Sequence, residues 1–479
     1  MATTSCKDLP DECWELVFKR LHHSHLESPS LSCKRFLSIT NTLRTHLKIL
    51  DPTLIIPLSK RFPRLDSIDL SSLRKGQLHH VIIDIATSGL NLKTLDLSES
   101  VRLPLESLKV LGSRMKNLRV LMCSCLLTLR DVDLVVIADS MPCLEDLDIS
   151  EPINRFEAAV TDSGIEVLSS KLKGLRKIDV SGNHYITDKS LLALSTNCVY
   201  LAEIIVLDCW SVTSYGIAFV MRNSSNLSSL LVSQLNRIEF GLFDNLVCCA
   251  RNLSALGIFD SSVPDEFLHF IVKAGIPLKR LSLARSLHQS FTFSGISLFL
   301  NKYRSLERLC LAGTDFLTDE NISDLSQCLP ALVLIDLDLC NNLTESTLFT
   351  LAKNCTFLED ISMDGADVGG GGGDRASDNA KNPRIKSLNL VKNRNLTDEC
   401  LAKLASVCPS LEVLDVSSCK GITDNGIADF LKRGSKIRKF IVIDKIAWVW
   451  MERMMMKPKV NWKITDLILL GKVMCGVIV

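Results

Sequence analysis

The residue types that most often carry chemistry are all present in this 479-residue chain, but their spacing does not build a reaction centre. His22, His23 and His25 crowd one short stretch, with no further Cys or His at ligand spacing nearby, so a solvated loop is expected there rather than a metal site. Cys123-x-Cys125 and Cys248-Cys249 lack zinc-ribbon spacing and a supporting histidine base. The GGGGG run at 369–373 lacks the strand–helix context and the lysine of a phosphate loop. Paired carboxylates such as Asp146/Asp148 and Asp336/Asp338 alternate along extended segments. General acid–base work would need them in a desolvated cleft. The chain is therefore read as non-enzymatic, with no cofactor and no metal. Its chemistry is recognition.

The elements that must position these residues repeat. An apolar residue opens a short strand at Leu65, Leu92, Leu118, Leu144, Leu175, Leu201, Leu227, Leu253, Leu278, Leu306, Leu332, Leu358, Ile385, Leu411 and Ile437. Most intervals are 25–28 residues and one, Leu144 to Leu175, is 31. In the copy LEVLDVSSCKGITDNGIADFLKRGSKI, Leu411, Leu414 and Val416 bury one side of a strand, a polar turn follows, and Thr423-Asp424 starts a helix as N-cap and first-turn acid. One such unit cannot close a core alone, so it must stack on its neighbours. The period falls in the leucine-rich-repeat range of about 20–29 residues. The fold class expected is α/β: a leucine-rich-repeat solenoid of about 15 repeats over 62–445, a horseshoe with a parallel concave sheet and convex helices, preceded by a small all-α module.

Composition restricts the partners. Net charge is +1, which gives no bulk electrostatic case for nucleic acid or an anionic membrane. No run of 18 apolar residues appears and the N-terminus lacks a secretory pattern, so neither a membrane span nor export is expected. The 18 cysteines are too few for a disulfide scaffold, and several recur at fixed places: Cys209, Cys340 and Cys419 eight residues after an opener, Cys198, Cys355 and Cys408 three before one. A small apolar side chain suits a tight interior corner there, and a reducing compartment, nucleus or cytoplasm, is expected.

Before the first repeat, LPDECWELVFKRL is helical in pattern, with Trp14, Val17, Phe18 and Leu21 on one stripe, and LSCKRFLSITNTLRTHL reads as a second helical hairpin. Leu9, Pro10, Glu12, Trp14, Val17, Phe18 and Leu21 match the Leu-Pro-x-Glu opening of an F-box, and Cys33, Lys34 and Phe36 match its later Cys-Lys-x-aromatic step. The segment 5–48 thus resembles an F-box, and the whole chain resembles plant-type F-box/LRR proteins, with His25 in place of an acidic residue and Phe36 in place of a tryptophan. That resemblance implies docking on a Skp-type adaptor, and through it on cullin, by Leu9, Pro10, Trp14, Val17, Phe18, Leu21, Leu26 and Phe36. The bland reading of the stripe is a helix that caps the solenoid.

Residues two, four and six after each opener should face the concave side. There Asp148 and Asp179 lead to an apolar stretch, Ile205, Leu207, Leu231 and Phe259, beyond which lie Arg280 and Arg308 and then Asp336, Asp338 and Asp360. Apolar anchors with charged flanks suit a protein target. The aspartates four places after an opener have a plainer reading, as caps for neighbouring backbone. Two interruptions are expected: a mobile Gly-rich loop at 365–383 in place of a helix, and a non-repetitive tail, 446–479. Taken with the resemblance, the chain reads as the substrate-recognition subunit of an SCF-type E3 ubiquitin ligase. The alternatives are a small-molecule co-receptor using the scattered Lys177, Arg280, Arg308 and Lys439, or a scaffold with no ligase link.

Overall fold

The computed structural model describes residues 9–21, 23–73, 76–153, 159–235, 238, 250–285, 291–369, 381–434 and 436–443, and side chains from this set except those of 23 and 24. Three helices come first: α1 (Asp11–Phe18), the short α2 (Glu27–Ser30) and α3 (Lys34–Leu43). The rest alternates strand, turn and helix, and the chain, these helices included, divides into two compact units. The first runs to Ser254 and includes Ala274–Pro277; the second takes the remainder.

In the first unit the strands are β1 (His46–Lys48), β2 (Ser67–Asp69), β3 (Thr94–Asp96), β4 (Val120–Met122), β5 (Asp146–Asp148), β6 (Lys177–Asp179), β7 (Glu203–Val206) and β8 (Ser229–Ser233). Each pairs in parallel with the next. In the second they are β9 (Ala255–Phe259), β10 (Arg280–Ser282), β11 (Arg308–Cys310), β12 (Leu334–Asp336), β13 (Asp360–Ser362), β14 (Ser387–Asn389), β15 (Val413–Asp415) and β16 (Lys439–Ile441), again parallel and in chain order. Each unit is a leucine-rich-repeat solenoid, and each of the fifteen expected openers stands two residues before a strand. The sixteenth strand, β1, was expected to be helical. Thr45 and Leu47 lie past the last turn of α3, and His46–Lys48 pairs with β2, so the array starts directly behind the helices.

Burial follows the period. The opener and the residues three and five places on are buried, as at Leu144, Leu147 and Ile149 or Leu332, Ile335 and Leu337. The residues two and four places on are half-exposed, as at Asp146 and Asp148. The chain then turns sharply. All ten described non-glycine residues with positive φ, among them Glu99, Asp208, Leu339 and Ser418, stand seven places after an opener, where Gly182, Gly313 and Gly365 also fall. Between β13 and β14 the described residues, to 369 and from 381, hold no helix; the Gly-rich centre of that loop and the tail from 444 lie outside the described residues. Among the described residues no helix is long and apolar enough to cross a membrane.

Candidate interaction surfaces

In the helical module, Phe18, Leu26 and Ile39 form the core, with Trp14, Phe36 and Leu43 packed against it. The rings of Trp14 and Phe36 lie 4.6 Å apart, and Phe18 meets Phe36 edge-on at 5.1 Å. Cys33 caps α3 by accepting the Phe36 N–H at 3.4 Å, and Arg35 ties α3 to α1 through Asp11 at 2.6 Å. The single stripe expected on α1 therefore splits in two. Trp14 and Phe18, four apart, turn inward; Val17 and Leu21, also four apart, turn out.

Burial divides the expected adaptor-facing set. Phe18 and Leu26 are only 5% and 4% exposed and form part of the module's core. Trp14 and Phe36 are half-buried. Leu9, Pro10, Val17 and Leu21 are exposed, at 42%, 49% and 37% for the three larger side chains. Sequence reading passed over Leu16 and Leu31, which are more exposed still, at 63% and 87%. Leu16 is off the 3.6-residue stripe, and an apolar residue off its own core stripe is the signal that was available.

On the open sheet face of the first unit, Asp69, Asp96, Met122, Asp148, Asp179, Ile205 and Leu231 form one row in strand register. Leu207 lies beside it, two places after Ile205, where neighbouring repeats carry Ser150, Ser181 and Ser233. An acidic run thus ends at an apolar step. Lys177 sits between Asp146 and Glu203 at 4.0 and 3.7 Å. Burial raises the carboxyls of Asp146 and Asp179, the latter against hydrogen bonds from Ser181 that lower it. Phe259 belongs to the second unit.

The aspartates also have the plainer task. Asp69, Asp96, Asp148, Asp179 and Asp415 each accept the N–H of a serine two places on, at 2.8–2.9 Å, and Asp336 accepts that of Asp338 at 3.0 Å. One oxygen of each is thereby committed to the turn. In the second unit Asp338 accepts Ser362 Oγ at 2.6 Å and the Asp364 N–H at 2.7 Å; burial raises its carboxyl despite these bonds. Asp360 is half-exposed on β13, in register with Leu334. Arg280 and Arg308, taken in the sequence for members of a scattered set, are direct cross-strand neighbours on β10 and β11.

The recurrent cysteines do more than fill corners. Cys209, Cys340 and Cys419 donate to the carbonyls of Val180, Leu311 and Leu390 one repeat back, at 3.3, 3.3 and 3.0 Å. Asn183 and Asn393 occupy the same place and donate to Ile149 and Met363 at 3.0 and 2.8 Å. Burial pushes the Cys198, Cys209, Cys355, Cys400 and Cys408 thiols up to about 12. Such thiols are poor nucleophiles and metal ligands at neutral pH. The described cysteines are thiols outside any disulfide, and no described cluster of His, Cys, Asp or Glu is arranged to hold a metal.

Comparison with known proteins places these surfaces in context. The F-box domain family matches residues 6–48, and the Leucine Rich repeat family matches 174–195 and 407–431. The DNA repair protein RAD7 of Saccharomyces cerevisiae is 24% identical over 344 residues, 70% of this chain and 51% of that protein. EEED8.10 of Caenorhabditis elegans, named as a candidate RNA-binding protein, is 25% identical over 308 residues, 62% of this chain and 39% of that one. The chain thus spans about half or less of the length of these relatives, and their worm and yeast origin leaves the plant-type assignment without support. A chain in the crystal structure of the yeast Rad7 and Elc1 complex shares the fold, with a TM-score of 0.55 and 20% identity over 89% of this chain and 96% of that one.

Proposed function

We propose, from an F-box segment joined directly to leucine-rich repeats, that this chain is the substrate-recognition subunit of an SCF-type ubiquitin ligase. The single observation that carries the reading is the outward apolar ridge of α1 and its flanks, Leu9, Leu16, Val17 and Leu21, on a module whose own core is already filled by Phe18, Leu26 and Ile39. A module that only capped the array would turn such residues toward the repeats. That a chain of the same fold is crystallised with a second protein, Elc1, is in keeping with this. A Skp-type adaptor would cover the ridge, cullin would follow through the adaptor, and the open sheet faces would hold the target. Ile205, Leu207 and Leu231 serve as apolar anchors in the first unit, with Asp148 and Asp179 beside them for basic groups. The role is non-catalytic: the chain raises the target's effective concentration beside a conjugating enzyme. It would act in nucleus or cytoplasm, where those partners work.

The test is co-purification of the full chain with a Skp-type adaptor, comparing wild type with Val17→Glu and Leu16→Glu. A charge placed in a desolvated interface is expected to abolish capture while leaving the melting temperature unchanged. Full capture by both variants would sink the assignment.

A further inference from the structure

Among the described residues the second unit carries two neighbouring cations that form no ion pair. Arg280 and Arg308 stand directly opposite one another on β10 and β11, both side chains exposed. Adjacent strands lie about 4.8 Å apart, so two guanidiniums spring from neighbouring points on one surface. Among the described residues neither makes an ion pair or a hydrogen bond. Glu307, next to Arg308 in the chain, is held by Lys279 at 2.7 Å; that hydrogen bond chiefly lowers its carboxyl, and the field of Lys279, Arg280 and Arg308 adds to it. Arg285, a third guanidinium nearby in sequence, is paired with Asp260 at 2.8 Å.

Around this pair the same face is mixed in bulk, with half-exposed Leu334 in register with Arg308 and half-exposed Phe259 at the end of β9. In register or on the same strands lie Gly257, Ser282 and Cys310, and two places further on Ala284 and Ala312. On the β12 side the charge reverses: Asp336 is in register with Cys310 and accepts its thiol at 3.2 Å, and Asp338 and Asp360 follow.

We propose that Arg280 and Arg308 form a clamp for a phosphomonoester, carried on a serine or threonine of the captured protein, with a Lys or Arg next to it lying against Asp336, Asp338 and Asp360. A carboxylate is satisfied by one bidentate arginine. Two parallel forks suit the three oxygens and near −2 charge of a phosphate. The adjoining acids disfavour a long polyanion and favour an anion with a cation beside it. The clamp rests on the reading of the chain as a target receptor, and it makes capture conditional on phosphorylation.

The test is calorimetry on the full chain at low salt, with three forms of the peptide Ala-Ala-Ser-Lys-Lys-Ala-Ala: phosphorylated on serine, unphosphorylated, and with glutamate for serine. The phosphopeptide is expected to bind at least about tenfold tighter than either control, a gap of about 1.4 kcal/mol. Arg280→Gln/Arg308→Gln should erase that preference, and Arg280→Lys/Arg308→Lys, which keeps the charge without the forks, should retain part of it. Asp336→Asn/Asp338→Asn should remove the benefit of the two lysines. Equal binding of the three peptides, or a preference unchanged in the Gln variant, overturns the clamp. So does tighter binding of inositol hexakisphosphate or of a single-stranded RNA than of the phosphopeptide. Adaptor co-purification is scored separately: its loss with the peptide preference intact would refute the ligase reading and leave the clamp, and the converse would do the opposite.

Discussion

At the scale of single residues, inside and outside are decided within one turn of helix. Phe18→Ala should cost about 3–5 kcal/mol of module stability, because it empties a site where Trp14, Leu26, Phe36 and Ile39 converge. Adaptor capture would be lost with it, but together with the fold. Val17→Ala should leave stability within about 0.5 kcal/mol and still weaken capture, because that side chain is half-exposed. Melting curves run beside pull-downs separate the two, and equal destabilisation by both would refute the split stripe. Leu339 offers the opposite case. Its φ of 58° is left-handed and its side chain is largely exposed, so Leu339→Gly should stabilise by about 1 kcal/mol in denaturant unfolding. The thiols titrate in a definite direction. Folded Cys198 and Cys355 are raised to about 12, above their ordinary value near 9, so their contribution is intact below pH 9 and is lost as pH climbs from 9 toward 12. Alkylation at pH 8 should reach exposed Cys33 and Cys143 first and these buried thiols only on unfolding, which mass spectrometry reads directly.

At the scale of elements, six described helix starts are completed by the repeat before them. Asp131, Asp162, Asp188, Asp265, Asp319 and Asp398 each accept both the N–H and the hydroxyl of the threonine that caps the next helix, from Thr161 to Thr423. The residue three places after that threonine must then be small. A Cβ on Gly164, Gly216, Gly295 or Gly426 would lie 2.2, 2.4, 1.9 or 1.9 Å from the intruding carboxylate. Ser190 and Thr347, at the same place, donate hydroxyls to it at 2.5 and 2.6 Å. Where the preceding helix begins with Phe293 instead of Asp, Thr318 turns to its own Asn321, at 3.1 Å. The sequence shows the Thr-Asp step plainly, and the cap and first-turn acid were readable from it. That the acid serves the next repeat was not, because the partner is some 25 residues away and only stacking brings it near. Gly426→Ala should therefore destabilise by about 1–3 kcal/mol. Gly426→Ala/Asp398→Ala should be less harmful than the sum of the single changes, and an additive double-mutant cycle would refute the clash. Burial alone would raise Asp162, but the bonds from Ser190 and Thr187 outweigh it and hold its carboxyl low, so its contribution is present above pH 4 and fades as pH falls below that.

At the scale of the whole molecule, the openers and their period made the parallel array readable, because an amphipathic unit of this size has no other way to bury its strand and helix. The proposed binding surfaces were less readable. Neighbours across a sheet are about 26 residues apart in the chain, so Arg280 and Arg308 look scattered until the register sets them side by side. The outward row of α1 was masked for a different reason, since one stripe of apolar residues served both core and surface. If the chain is a receptor, these two surfaces act in series and can be broken separately. Val17→Glu should end adaptor capture while leaving phosphopeptide binding at the wild-type level. Arg280→Gln/Arg308→Gln should end the phosphate preference while leaving adaptor capture whole. Both should stabilise the same set of proteins in cells depleted of the wild-type chain, because proximity requires both ends of the bridge at once. Proteomic turnover measurements on the two variants decide the matter: disjoint sets of stabilised proteins would mean that the helical module and the repeats serve unrelated partners.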